Sequence, residues 1–409
     1  MAKEKEEKKK EKRRGHNEGT VTQRQDGRWM AQVTTGHNSE GKIKRVTYYG
    51  KTRGEVVEKM DKARMDLKTG TYIEPNKTTL GDWVLKWVKI YAKQRVCITS
   101  YDLYSSIIKL HIVPDIGGIE LRKLRPMDIQ ELYNKKTKSG KAYGGGGLSS
   151  ETIRRIHNIL HSALKQAVKE GLVARNAADS VEPPKITRQE VKALTKTDLN
   201  KFMDTIKKDR LYALFALALG TGLRKGEILS TRWTDLDLEK GTVTVLRTLA
   251  RVYKDEGETK TELIFKEPKT SKSRRTIPIP DFVIAALKSH KAKQNEEKLL
   301  LEDKKHHENN NLVFCTPEGK PIEPRNFSRR YEKLLKNAGL AHTPFHNWRH
   351  TFATVLLEMG EHPKVVQEML GHSKIATTLD TYSHIVQGMT AQAAVKMDLF
   401  YVNQEAAQR

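Results

Sequence analysis

The chain reads as a multidomain protein in three parts: a small three-stranded β-sheet with one helix, an all-α domain, and a mixed α+β domain that is mostly helical. Three observations predict this. Asp26-Gly27 separates two alternating runs near the N-terminus. Between Leu80 and Val168 apolar residues recur at helical spacing. From Thr242 to Ile279 short β-branched runs return, with helical patterns before and after them.

Composition narrows the partners. Lys plus Arg number 75 against 50 Asp plus Glu, a formal charge of +25 in 409 residues. The sequence pI is about 9.7. A field that positive favours a polyanion, and 37% apolar residues are enough for real cores. The longest apolar run, Leu211 to Leu219, is far short of the roughly 20 residues of a bilayer-spanning helix. Cys97 and Cys315 give neither a disulfide framework nor zinc spacing. With a charged N-terminus that lacks a secretory apolar region, this predicts a cytoplasmic protein without metal.

Residues 1–14 form a basic arm, expected to add sequence-independent attraction to phosphates. The first strand runs from Thr20 to Gln25 and the second from Arg28 to Thr34, joined by Asp26-Gly27, because a type I′ turn needs positive φ at both central residues. A third strand covers Lys42 to Tyr49, and a helix of roughly four turns ends near Gly70. The open sheet face is expected to present Arg24, Arg28, Lys42, Lys44 and Arg45. Residues 1–75 are taken as this first domain, and Tyr72 to Thr79 as a connector.

The helical domain, 78–180, begins with Trp83, Leu85, Trp87, Ile90 and Tyr91 at near-helical spacing. A second helix is expected from Tyr101 to Ile112. After Gly144 to Gly147, Ser149 or Ser150 caps a long helix with the stripe Ile153, Ile156, Leu160, Leu164 and Val168, closed by Gly171. Its other side carries Arg154, Arg155, His161 and Lys165, which suit a phosphate backbone.

Pro183-Pro184 leads toward the last domain, 190–409. Helices are expected over Lys196 to Ile206 and Arg210 to Leu219, then a sharp Gly220-Thr221-Gly222 turn that sets Arg224 at a helix start. Strands are expected at Thr242 to Thr248, near Ile264 and from Arg275 to Ile279, with a polar excursion from Ala250 to Thr261. His290 to Asn311, including His306-His307, reads as surface helix and loop.

The richest stretch is His346 to Tyr382. His346-Asn347-Trp348-Arg349-His350-Thr351 sets a histidine and an arginine three apart on one helix face. Phe352, Val355, Leu356, Met359, Val365, Val366, Met369 and Leu370 form an apolar stripe. Leu370-Gly371-His372-Ser373 and Leu379-Asp380-Thr381-Tyr382 follow. Upstream lie Thr221-Gly222-Leu223-Arg224-Lys225-Gly226-Glu227 and Pro268-Lys269-Thr270.

In that order these segments resemble the tyrosine recombinases, or phage integrases, over about 195 to 384. Residues 78 to 180 resemble the family's helical core-binding domain, although Ala177 follows Asn176 where many relatives have proline. The N-terminal sheet resembles the arm-type DNA-binding domain of phage and conjugative-transposon integrases. The resemblance implies a catalytic domain of the tyrosine recombinase fold, with Arg224, Lys269, His346, Arg349 and His372 around the nucleophile Tyr382.

The residue types suit that chemistry. Two guanidinium forks can hold the non-bridging oxygens of an attacked phosphodiester. Histidines can donate to the phosphate or move protons, and the phenol needs a neighbour to take its proton, for which His346 is the first choice. Lys269 is the implied acid for the leaving 5′-oxygen, with Lys266 and Lys272 close by. Glu227, three residues after Arg224 on the same helix face, is expected to orient supporting groups around the site and not to react. The resemblance implies no cofactor, and GxxxxGK[ST] is absent. It implies double-stranded DNA with core and arm sites, a synaptic tetramer on that DNA, and room for excision or host DNA-bending factors. The expected function is integration and excision of a mobile element through a 3′-phosphotyrosine. A type IB topoisomerase and a DNA-binding regulator without chemistry are the alternatives. The apolar segment at 387–401 is expected to pack onto a neighbouring protomer.

Overall fold

A computed structural model describes residues 19–37, 40–70, 72, 77–141, 145–186, 194–253, 261–268, 273–300, 310–379, 381–382, 394–395 and 397–398. Contacts divide the chain into two compact units, residues 1–187 and 188–409. The basic arm at 1–14, Lys269, Lys272, His306-His307 and most of the segment at 387–401 lie outside the described residues.

The first unit opens with β1 (Thr20–Gln23), β2 (Trp29–His37) and β3 (Ile43–Gly50), an antiparallel sheet in that order. Helix α1 (Arg53–Lys68), capped by Thr52, covers one face and packs Val56 and Met60 against Ala31 and Val33. Strand alternation corrects the expectation that five basic residues share the open face. Lys44 and Arg45 are successive in β3, so they point to opposite sides. Arg24 and Arg28 sit at the hairpin turn, tied to Asp26 at 3.8 and 2.9 Å. Lys42 lies at the other end of the sheet, 3.0 Å from Glu40. Of the five, Arg45 is on the open face, opposite Thr34, and Arg24 reaches the same face over the ring of Tyr49, 5.7 Å from its centroid.

The helical part starts with a Thr79–Asp82 capping box on α2 (Leu80–Trp87). A π-helical turn over Val88–Ala92 follows, then α3 (Lys93–Arg95). The expected second helix begins earlier, as α4 (Ile98–Ile107), and passes through another π turn, Ile108–Ile112, into α5 (Val113–Ile116). The extra residue in the first π turn breaks the 3.6 period, which is why Ile90 is 47% exposed while Trp83 and Trp87 are buried. After α6 (Pro126–Ser139) comes the long α7 (Ser150–Lys169), capped by Ser149. Ile153, Ile156, Leu160 and Leu164 of α7 enter the core, and Trp83 Nε1 donates to Ala163 O at 2.8 Å. The basic side of α7 is mixed: Arg154 donates to Pro184 O, Arg155 pairs with Glu151, and Lys165 is exposed.

In the second unit, α8 (Lys196–Thr205) precedes α9 (Tyr212–Thr221), which is apolar all round and enclosed. Then come the short α10 (Lys225–Ile228) and β4 (Leu236–Asp237). The expected strand from Thr242 to Thr248 is two: β5 (Thr242–Val245) lies between β4 and β8 (Arg275–Pro278), whereas β6 (Thr248–Tyr253) pairs with β7 (Thr261–Lys266). Ala250 to Tyr253 thus belong to a ladder and not to a polar excursion, because their partners are Thr261 to Ile264. The segment read as surface from His290 is also corrected. Up to Leu300 it is helical, as expected, in α11 (Asp281–Leu300), but His290 and Gln294 are buried and find partners in the carbonyls of Val313 and Leu312.

Helices α12 (Pro324–Asn337), α13 (His346–Glu358) and α14 (Pro363–Leu370) complete the unit. An aromatic cluster of Phe202, Phe215, Phe327, Tyr331, Phe345 and Trp348 joins α8, α9 and α12 to the start of α13. Trp348 Nε1 donates to Tyr331 Oη at 3.0 Å within it. The expected apolar stripe is only partly buried. Phe352, Val366 and Leu370 are inside, while Val355, Met359 and Val365 are 38, 74 and 44% exposed because they lie on the other side of their helices. Among the described residues no helix is long and apolar enough to cross a membrane.

Candidate active site

The site begins where α9 stops. Gly222 is in the left-handed region (φ 62°), and its N–H returns to Ala218 O. A Cβ there would come within 2.4 Å of the Phe352 ring, so glycine alone fits the turn. The reversal buries Leu223 and makes Arg224 the cap of α10. Glu227 accepts from both the backbone N (3.0 Å) and Nη1 (2.9 Å) of Arg224. Its carboxylate also accepts from Arg275 Nη1 and Nη2, at 3.3 and 3.0 Å. Arg275 in turn donates from Nε to Met369 O at 2.7 Å, linking β8 to the end of α14.

Helix α13, anchored by Trp348, brings His346, Arg349 and His350 to one side. Arg349 is 3% exposed and donates from Nη1 to Gly222 O (2.8 Å) and from Nη2 to Leu370 O. One arginine therefore spans the turn before Arg224 and the turn before His372. Helix α14 ends at Gly371, again left-handed (φ 65°), and packed so closely that a Cβ would lie 3.0 Å from Arg275. His372 follows at once, its Nδ1 2.9 Å from Thr378 Oγ1. Residues 375–379 and 381–382 are helical. Tyr382 packs with Phe352, Leu357, Val366 and Leu370 at 3% exposure, and its Oη is 2.8 Å from His350 Nδ1.

Three guanidinium groups meet one carboxylate here, so the cluster is electropositive. Burial and the nearby Arg224 push Arg349 down to about 9. Burial lowers His350 to about 4, helped by His346 and Arg349. His372 is likewise held at about 4 by burial, Arg349 and Arg224. His346 moves the same way for the same reasons. Burial would raise the Glu227 carboxyl, but Arg275 and Arg224 outweigh it and keep it below its ordinary value. Burial raises the Tyr382 phenol to about 12, against a lowering pull from Arg349. The result is neutral imidazoles and a protonated phenol beside fixed positive charge, an arrangement that a phosphate anion complements. Arg224 and His346 line a cleft of about 790 Å³ together with Lys225, Lys266, Tyr331 and Phe345.

Of the residues chosen from sequence, Arg224, Glu227, His346, Arg349, His372 and Tyr382 come together; Lys269 lies outside the described residues. Against expectation, the phenol of Tyr382 meets His350 and not His346, because Nδ1 of the second histidine lies on the side of α13 that faces the tyrosine. The His346 and His350 rings meet edge to face, 4.8 Å apart. Sequence reasoning passed over His350, although its four-residue spacing from His346 was a signal. It also passed over Arg275, which gave no local sign, since its role depends on a strand meeting two helix ends.

Residues 192–388 match the phage integrase family, and residues 79–137 match the N-terminal SAM-like domain of phage integrases. A tyrosine recombinase XerC-like protein of Caldanaerobacter subterraneus subsp. tengcongensis is 34% identical over 382 residues, 90% of this chain and 95% of the relative. The Tn1549 transposon integrase, solved in complex with transposon right end DNA, has a similar fold (TM-score 0.62, 22% identity, 77% of this chain and 99% of that one). So has lambda integrase in a tetramer bound to a Holliday junction (TM-score 0.53, 19% identity, 88% and 94%). The chain belongs to the phage integrase family of tyrosine recombinases. It is a site-specific DNA recombinase of the kind that integrates mobile elements.

Proposed function

We propose that this protein integrates and excises a mobile genetic element by cutting and rejoining double-stranded DNA through a 3′-phosphotyrosine on Tyr382. The observation that carries this reading is the convergence of Arg224, His346, Arg349, His372 and Tyr382, from four separate stretches of chain, on one electropositive site. Arg224 and Arg349 hold the non-bridging oxygens and stabilise the charge that grows during attack. His346 and His372, neutral and close to both arginines, donate hydrogen bonds to the same phosphate. Glu227 holds Arg224 in place, and Lys269 protonates the leaving 5′-oxygen.

The covalent intermediate conserves the bond energy, so a 5′-hydroxyl from a second strand reverses the step with no external energy source. The helical domain holds core sites and the N-terminal sheet holds arm sites, with Arg45 on the open sheet face and Arg154, Arg155 and Lys165 along α7. Four copies act together on paired sites in the cytoplasm, with excision or host DNA-bending factors as accessory partners. The DNA complex of the Tn1549 integrase and the junction-bound lambda tetramer support this as analogies of fold. Neither the topoisomerase nor the non-catalytic reading draws support from these relatives.

The test uses the full chain and a site DNA nicked just beyond the scissile phosphate, so that the cleaved fragment diffuses away. A covalent adduct should appear on a denaturing gel with the wild-type protein and disappear with Tyr382→Phe, while site binding is retained. An adduct that persists in Tyr382→Phe sinks the assignment.

A further inference from the structure

A phenol that attacks phosphorus must lose its proton, and at neutral pH the Tyr382 phenol is far from ionised on its own. The question is which group stands at its oxygen. His346 points its ring at His350, with centroids 4.8 Å apart, and His372 has its Nδ1 2.9 Å from Thr378 Oγ1. Arg349, which donates to the carbonyls of Gly222 and Leu370, is a cation with no lone pair to offer. His350 Nδ1 lies 2.8 Å from Tyr382 Oη, within proton-transfer distance.

We infer that His350 is a catalytic residue, the base that takes the phenolic proton of Tyr382 as its oxygen attacks the DNA phosphate; this rests on Tyr382 being the nucleophile. In the step, the Tyr382 O–H bond breaks and its proton passes to His350 Nδ1. The Oη–P bond forms, the P–O5′ bond breaks, and the 5′-oxygen leaves with a proton from a separate cationic amine acid, the role assigned to Lys269. Position favours His350 in three ways. It adjoins Arg349 in sequence, so base and phosphate holder move as one rigid turn of α13. The described groups facing it are His346 and Arg349 on α13, Tyr382, and His372 beyond α14, and among the described residues no carboxylate is one of its charged neighbours. Burial, helped by that company, keeps its imidazole neutral, with a lone pair free to accept. In the tautomer with hydrogen on Nε2, Nδ1 accepts from the phenol O–H.

The test compares wild type, His350→Asn, His350→Gln, Lys269→Ala and Tyr382→Phe on nicked site DNA. One substrate has the natural 5′-oxygen and the other a 5′-bridging sulfur, whose thiolate leaves without a proton. Adduct formation should fall about 10²–10⁴-fold in both His350 variants, on both substrates, and the acidic limb of the wild-type pH–rate profile should vanish. Lys269→Ala should recover on the sulfur substrate. Recovery of the His350 variants on sulfur makes His350 serve the leaving group, and rates within about tenfold of wild type make it a packing residue; either overturns the inference. An adduct in Tyr382→Phe instead fails the nucleophile assignment beneath it. Imidazole ¹⁵N shifts of the wild-type chain give an answer independent of variant folding. They should show His350 protonated on Nε2 only, with Nδ1 shifting in Tyr382→Phe, and hydrogen on Nδ1 is the refuting result.

Discussion

Replacing Arg275 with methionine tests the claim that a buried ion pair holds the site together. Arg275 and Glu227 have side chains only 7% and 6% exposed, and the pair is closed by two bonds at 3.3 and 3.0 Å. Removing one partner of such a pair typically costs about 3–5 kcal/mol, because the other charge stays buried. Arg224 still reaches Glu227 at 2.9 Å, which offsets part of the loss. The carbonyls of Met369 and Ser273 lose a donor each, at about 1 kcal/mol apiece. A net loss of about 3–4 kcal/mol follows, a factor of several hundred in local opening. The chain has two units, so one global unfolding energy is the wrong quantity. Hydrogen exchange should be read on peptides covering 212–229 and 363–372, which should quicken together while peptides of the first unit do not change. Adding Glu227→Gln should restore part of the protection, since it removes the stranded charge. If Arg275→Met alone alters exchange by less than about 0.5 kcal/mol, the pair is not what holds these elements.

Gly222→Ala should destabilise the second unit by about 1–3 kcal/mol through its positive φ, with more from the clash with Phe352, and should lower cleavage by moving the carbonyl that holds Arg349; thermal melts and adduct yield check both. Arg224→Lys keeps the charge and loses the fork, so cleavage should fall steeply with site affinity spared; equal losses in both would make Arg224 a docking residue. His350 and His372 are depressed in the folded state to about 4, so the unfolded chain takes up protons first. Stability of the second unit should therefore hold its histidine contribution above the ordinary value of 6.5, lose it as pH drops toward about 4, and fall further below that as Glu227, held below its ordinary value, takes up a proton. Melting temperatures across that range check it, and His372→Gln should flatten the curve. Deleting residues 1–75 should abolish footprints on arm DNA and make the salt dependence of binding shallower, while cleavage at core sites persists.

The sequence was most legible where one local cause sufficed. Asp26-Gly27 marked the hairpin, although φ is positive at Gly27 alone and not at both residues as a type I′ turn requires; Ser149 marked the start of α7, and Gly222 the turn that sets Arg224. It was less legible where the cause was distant. Helical periodicity has no term for a π turn, so it groups Ile90 with the buried Trp83 and Trp87. Polarity made His290 look exposed, although its partner carbonyl lies 23 residues away at Val313. The site followed the same division. Its members could be named from motif order, but the bond between His350 and Tyr382 crosses 32 residues and depends on how α14 returns the chain to α13.

The two arginines proposed to hold the phosphate differ in what else they do. Arg224 has a side chain 38% exposed, whereas Arg349 is 3% exposed and clasps two backbone turns. Mutation should therefore damage a cell in two different ways. A chain altered at Arg349 loses its internal clasp and is removed by proteolysis before it meets DNA. A chain altered at Arg224 accumulates, occupies recombination sites and enters assemblies that it cannot complete, so that one defective copy silences its intact neighbours. Inheritance of the defect would be recessive in the first case and dominant in the second.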